Sequence, residues 1–190
     1  MKLAPKLLAL AILAGLSSTA AAEITIDVAG GSEISFEGLI QADANWYDND
    51  VKILNASALD GTDADYQMRR AEIIVKGKGP GQWNWVVGYD ARANKFLDVN
   101  VAYKFSGFTT LTVGQYKQPN SLEELTSTRF NDFIAKAMTT NMQGVARRTG
   151  IQLATGGDQW TLTGCVFGDE LTRNLKQGSG YGARFTWAPV

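Results

Sequence analysis

The stretch Ile34-Ser35-Phe36-Glu37-Gly38-Leu39-Ile40-Gln41-Ala42-Asp43-Ala44-Asn45-Trp46 sets an apolar or small side chain at every second position. These are Ile34, Phe36, Gly38, Ile40, Ala42, Ala44 and Trp46; Leu39 apart, the residues between them (Ser35, Glu37, Gln41, Asp43, Asn45) are polar. Successive side chains of a strand point to opposite faces, so the pattern makes a strand with one apolar and one polar face. A half-buried strand of a soluble sheet alternates in the same way, and one segment does not separate the two settings.

About seven later segments repeat the alternation. Tyr66 to Lys76 sets Ala71, Ile73 and Val75 against Arg70, Glu72, Ile74 and Lys76, and Gln82 to Asp90 follows with Trp83, Trp85, Val87 and Tyr89 on its apolar side. The next places Leu97, Val99, Val101, Tyr103 and Phe105 opposite Asp98, Asn100, Ala102 and Lys104. Thr109 to Lys117, Val145 to Thr155, Trp160 to Phe167 and Tyr181 to Trp187 complete the series. Short turns at 77–81, 106–108 and 156–159 alternate with longer loops at 48–65, 91–96, 118–142 and 169–179, the rhythm of an outer-membrane barrel. Trp46, Trp83, Tyr103, Phe105, Trp160 and Trp187 fall near strand ends, where interfacial aromatic girdles sit. The expected fold is therefore all-β, a transmembrane antiparallel β-barrel with about eight strands present; a soluble ligand-carrying barrel is the competing architecture.

The first residues support export. Lys2 and Lys6, the apolar run Leu7 to Leu16 and the small residues Ala20-Ala21-Ala22 have the layout of a secretory signal, and the run is too short for a spanning helix. The expected domains are a signal peptide at 1–22 and barrel wall at 23–190. Removing Lys2 and Lys6 from the 18 basic residues leaves 16 against 19 acidic ones, a net charge of −3 with no basic block. Nucleic-acid binding has no electrostatic footprint here. Cys165 is the sole cysteine and there is no histidine, so an intrachain disulfide and any triad using His are excluded.

No catalytic constellation emerges, and neither an enzymatic activity nor a cofactor or metal is expected. Cys165, between Gly164 and Val166, reads as a small packing residue. Gly77-Lys78-Gly79-Pro80-Gly81 lacks Walker spacing and reads as a hairpin turn, and the acidic stretch Asp48 to Asp65 lacks EF-hand spacing and reads as a solvated loop. The segment Gln118 to Gln143 differs. Ser121 and Glu124 stand at capping-box spacing, and Leu122, Leu125, Phe130, Phe133, Ile134, Ala137 and Met138 recur at helical intervals. A helix-bearing loop is expected, packed either on the rim or inside the lumen. In the lumen it brings Lys117, Arg129 or Lys136 to the narrowest point, where a low dielectric strengthens attraction for anions. The alternation also puts Arg70, Lys76, Lys104, Arg148 and Arg184 on the polar face, together with Glu37, Asp43, Glu72, Asp90 and Asp98.

Gln67-Met68-Arg69-Arg70-Ala71-Glu72-Ile73, together with Val113-Gly114-Gln115-Tyr116-Lys117-Gln118-Pro119 and Ser121-Leu122-Glu123-Glu124-Leu125-Thr126-Ser127, resembles the phosphate-selective porin O and P family. The resemblance spans nearly all of the chain after the signal. It implies a 16-stranded homotrimeric channel in the bacterial outer membrane, in contact with lipid, that draws phosphate or polyphosphate through a basic lumen. By resemblance Arg69 and Arg70 match an arginine pair, and Lys117 matches the basic residue that ends the strand before the constriction loop. Lys136 stands where the family commonly has a Glu-Arg pair; here the residues are Ala135-Lys136. Lysine keeps the charge but not the bidentate fork that suits phosphate. The anion-pathway candidates are thus Arg69, Arg70, Lys117, Arg129, Lys136, Arg148 and Arg184. Eight strands are half of what the resemblance implies, so the chain is expected to be the N-terminal part of a porin. A self-contained eight-stranded barrel that does not conduct is the alternative, its lumen filled by side chains.

Overall fold

The computed structural model describes residues 22–28, 30–46, 64–105, 107–127, 136–143, 145–172 and 178–189. They form nine strands and two short helices: β1 (Ala22–Val28), β2 (Ser32–Trp46), β3 (Ala64–Lys78), β4 (Trp83–Asp90), β5 (Lys95–Lys104), β6 (Thr110–Lys117), α1 (Leu122–Leu125), α2 (Met138–Gln143), β7 (Arg147–Gly156), β8 (Trp160–Phe167) and β9 (Gly180–Trp187). All nine strands lie in one sheet in the order of the sequence, each antiparallel to the next. The sheet is an open meander, with β1 and β9 at its two edges. No helix among the described residues is long and apolar enough to cross a membrane.

Eight strands lie where the alternation puts them, and β1 is a ninth. Ala22 to Val28 pairs with Gly38 to Ser32 in continuous register. Its first residue lies within the expected signal peptide, whose residues 1–21 are outside the described set. The 47–63 connection, which carries most of the acidic stretch, is outside it as well. One of the longer loops is shorter than expected: β4 and β5 are joined by residues 91–94 alone.

The two faces reverse the usual distribution of a water-soluble sheet. The apolar face is open: Ile40 is 72% exposed, Ile73 64% and Phe185 64%. The polar face is the covered one, and it buries Glu37 and Asp90 beside Leu39 and Leu97. Exposed aromatics gather at both ends of the apolar face. Trp83, Phe105, Phe108, Trp160 and Trp187 lie at the end with the short turns, where Trp83 and Tyr103 pack with centroids 4.6 Å apart and Tyr103 and Phe105 at 4.9 Å. Tyr66, Phe96 and Tyr181 lie at the other end, where Tyr89 and Phe96 pack edge to face at 5.4 Å. Six residues separate Trp83 from Tyr89, or about 20 Å along a strand. Aliphatic side chains such as Val87, Val101, Val113 and Ile151 occupy the band between.

Three irregularities alter what the alternation implies. The β2–β3 register shifts between Gln41 and Ala42, which pair with Arg70 and Met68, so Arg69 is the extra residue of a β-bulge. A second shift between Val87 and Tyr89, paired with Val99 and Phe96, brings Leu97 and Asp98 to the same face. Leu97 is therefore 3% exposed on the polar side, not on the apolar side with Val99 and Val101. Third, Gly114 and Gly150 face each other across β6 and β7. Gly114 has φ +124°, and a Cβ there would stand 2.3 Å from the Val99 carbonyl oxygen; one on Gly150 would stand 2.1 Å from that of Val166. Beyond this pair parity no longer predicts the face: Val113 is 48% exposed, Gln115 is 1% exposed, and Lys117 lines a cavity on the polar side.

Candidate functional site

A cavity of about 460 Å³ opens on the polar face between the middle strands and the β6–β7 connection. Arg70, Lys76, Lys95, Lys117, Lys136 and Arg147 line it, as do the carboxylates Glu37, Glu72, Asp90 and Asp98. Leu125 and Ser127 of the connection line it too, so this loop turns in over the polar face.

The loop is held by its own polar groups. The Ser121 hydroxyl accepts from the Glu124 amide at 3.1 Å, which makes Ser121 the N-cap of α1. The expected capping box is half made, because the Glu124 carboxylate accepts from Lys136 Nζ at 2.5 Å. Lys117 Nζ donates to the Glu124 carbonyl at 2.8 Å and Lys136 to the same carbonyl at 3.5 Å. Glu123 joins the two helices: its carboxylate accepts from the Ala137 amide at 2.6 Å and from the Thr140 hydroxyl. Those two hydrogen bonds, the Thr140 one foremost, hold the Glu123 carboxyl below its ordinary range. Leu125 faces the cavity, whereas Leu122 and Met138 are exposed, and Phe130, Phe133 and Ile134 lie outside the described residues.

Most cations on this face already have a carboxylate. Lys76 pairs with Glu37, Arg70 with Glu72 at 3.6 Å and Arg147 with Asp98 at 2.8 Å. The bulge lets Arg69 and Arg70 both reach β2. Arg69 Nη1 donates to Asp43 Oδ2 at 2.6 Å, Arg70 Nη1 donates to Gln41 Oε1 at 2.9 Å, and Gln41 Nε2 closes the set on Asp43 at 3.0 Å. Lys117 differs in binding main-chain carbonyls, and the buried Nε of Arg147 has no partner among the described residues.

Of the seven candidates, Arg70, Lys117 and Lys136 meet at the cavity, and Arg69 stands beside Arg70 without lining it. Arg129 lies outside the described residues. Arg148 does not line the cavity; it points to Glu170, 3.7 Å away, and to the Arg147 carbonyl. Arg184 sits on β9 opposite Thr163, away from the cavity. Sequence reasoning missed Arg147, because strict alternation selects its neighbour; the facing glycines at 114 and 150 were the available signal.

The segment after β8 also returns to the sheet. Leu171 donates its amide to Gln115 Oε1 at 2.7 Å, and Thr172 Oγ1 accepts from the Phe96 amide at 2.9 Å. Gln115 Nε2 donates to the Phe96 and Leu97 carbonyls at 3.1 and 2.5 Å. The β5–β6 ladder ends at Val99 and Gln115, and this side-chain amide continues the bonding where the main chains part.

A family model described as phosphate-selective porin O and P matches residues 40–190. An uncharacterized protein of Caulobacter vibrioides is 27% identical over 148 residues, which cover 75% of this chain and 28% of that protein. The chain thus spans under a third of that relative's length. With the family match running from β2 through β9, over the bulged arginine pair and the inward loop, this chain belongs to the phosphate-selective porin O and P family.

Proposed function

We propose that the chain is the N-terminal part of an outer-membrane barrel, exported by residues 1–22, whose inward loop narrows a diffusion channel for anions. Phosphate is the favoured solute, as the family's description indicates. The observation that carries this reading is the convergence of Lys117, Lys136 and Arg147 beneath the loop, where Asp98 pairs with Arg147 and Glu124 with Lys136, and Glu72 lines the same cavity. The buried Arg147 Nε offers a donor that has no partner among the described residues. The inverted faces and the two aromatic rows support lipid contact around the outside. Assembly as a homotrimer follows from the family resemblance alone.

The lumen is nonetheless of mixed sign. Because Arg70, Lys76 and Arg147 are each balanced by an acid, a diffuse positive field is weaker here than the basic residues alone suggest. Selectivity then rests on the corner formed by Lys117, Lys136 and Arg147. Full-length protein in a planar bilayer under a KCl gradient tests the reading. A reversal potential of the sign for chloride preference is expected; no conductance, or potassium preference, overturns it.

A further inference from the structure

We propose that Glu124 is a built-in competitor for the permeating anion: its carboxylate and a solute phosphate alternate as the counter-ion of Lys136. This rests on the anion-channel reading above. Glu124 is 8% exposed and does not line the cavity; it stands behind Lys136, which does. Its carboxylate oxygen is 2.5 Å from Lys136 Nζ, and both side chains are largely covered, at 14% and 11% exposed. A lysine so placed without a partner is a costly buried charge, and one held by a permanent partner is of no use to a solute. Exchange avoids both. As phosphate arrives Lys136 turns from Glu124 to the solute, and as phosphate leaves the carboxylate takes the ammonium back.

The loop is built for such an exchange. Lys117 holds the Glu124 main-chain carbonyl at 2.8 Å without help from Lys136, and the Ser121 cap holds the Glu124 amide. The main chain at Glu124 is therefore fixed whether or not its side chain is engaged. The neighbouring charges among the described residues are Lys117, Arg147, Asp98 and Glu123; Arg147 pairs with Asp98 at 2.8 Å, and Glu123 is held by Thr140 and the Ala137 amide. Conduction needs a site attractive enough to fill and weak enough to empty, and a resident carboxylate weakens the site without removing its cation.

The test is the block of chloride current by inorganic phosphate in full-length protein, with folding checked by heat-modifiable migration. Glu124→Gln is expected to tighten phosphate block about tenfold, with longer blocking events, since it removes one unit charge from the corner. In a Lys136→Met background the same change is expected to have far less effect, because the shared cation is gone. Unchanged block in Glu124→Gln overturns the proposal. Weaker block overturns it too, by showing that Glu124 merely orients the lysines. Glu124→Asp, which keeps the charge but shortens its reach, serves if Glu124→Gln does not fold: a smaller tightening supports the exchange and none overturns it. If unmutated protein carries no chloride current, the channel reading fails rather than this one.

Discussion

Arg147 and Asp98 are joined at 2.8 Å across an intervening strand: Arg147 starts β7, Asp98 lies in β5, and β6 runs between them. The bridge exists because alternation places Asp98 on the polar face with Asn100 and because the sheet changes face at Gly114 and Gly150. Arg147→Gln is therefore expected to shift the reversal potential toward zero, whereas Arg148→Gln, away from the cavity, leaves it nearly unchanged. Comparing the two variants in bilayers under one KCl gradient checks this; equal effects would show that Arg147 has no special place on the pathway.

The strands were legible because alternation is a local property of a strand, and Ile34 to Trp46 displays it without help from the rest of the chain. The site was legible only in part, for three physical reasons. A bulge adds one residue and reverses parity, which hid Leu97 on the polar face and brought Arg69 beside Arg70. The facing glycines do the same without adding a residue: Gly114 on β6, at φ +124°, lies opposite Gly150 on β7, and beyond them Arg147 rather than Arg148 lines the cavity. Ala22 to Val28 was obscured differently, since the small residues of a cleavage site merge into the alternating strand that follows. The inward loop was suggested by its apolar spacing, yet what anchors it is polar: Lys117, Glu123, Glu124 and Lys136.

The apolar face should tolerate no charge at mid-strand. Val101 is 45% exposed there, and its neighbour Ala102 points to the polar side. Val101→Arg is expected to destabilise the folded barrel by about 2–4 kcal/mol. Ala102→Arg, which meets the lumen, should cost much less. Urea titrations of both variants in lipid bilayers measure the difference, and equal losses would argue against a lipid-facing surface.

Gln115 should behave as a structural bolt. Its side-chain amide satisfies the Phe96 and Leu97 carbonyls and the Leu171 amide at a place where β5 and β6 are not paired. Gln115→Leu fills the same space but strands those groups, at a cost of about 3 kcal/mol. Lower thermal stability with unchanged ion selectivity is the expected pair of readings.

Glu123 sets the pH response of the loop. Its ionised carboxylate accepts hydrogen bonds from Thr140 and Ala137, and these lower its pKa in the folded protein. A carboxyl with a depressed folded pKa contributes its stabilisation above the unfolded value and loses it as pH falls through the folded one. The tie between α1 and α2 is therefore expected to be intact at neutral pH and to weaken only below the ordinary carboxylate range. Limited proteolysis of the loop with an acid-active protease, at steps from pH 6 to pH 3, should show cleavage rising in that window. Glu123→Gln keeps an acceptor but no charge and should be cleaved at a rate that no longer depends on pH there, once protease activity is normalised. A wild-type loop equally protected at pH 6 and pH 3 would show that Glu123 does not hold it.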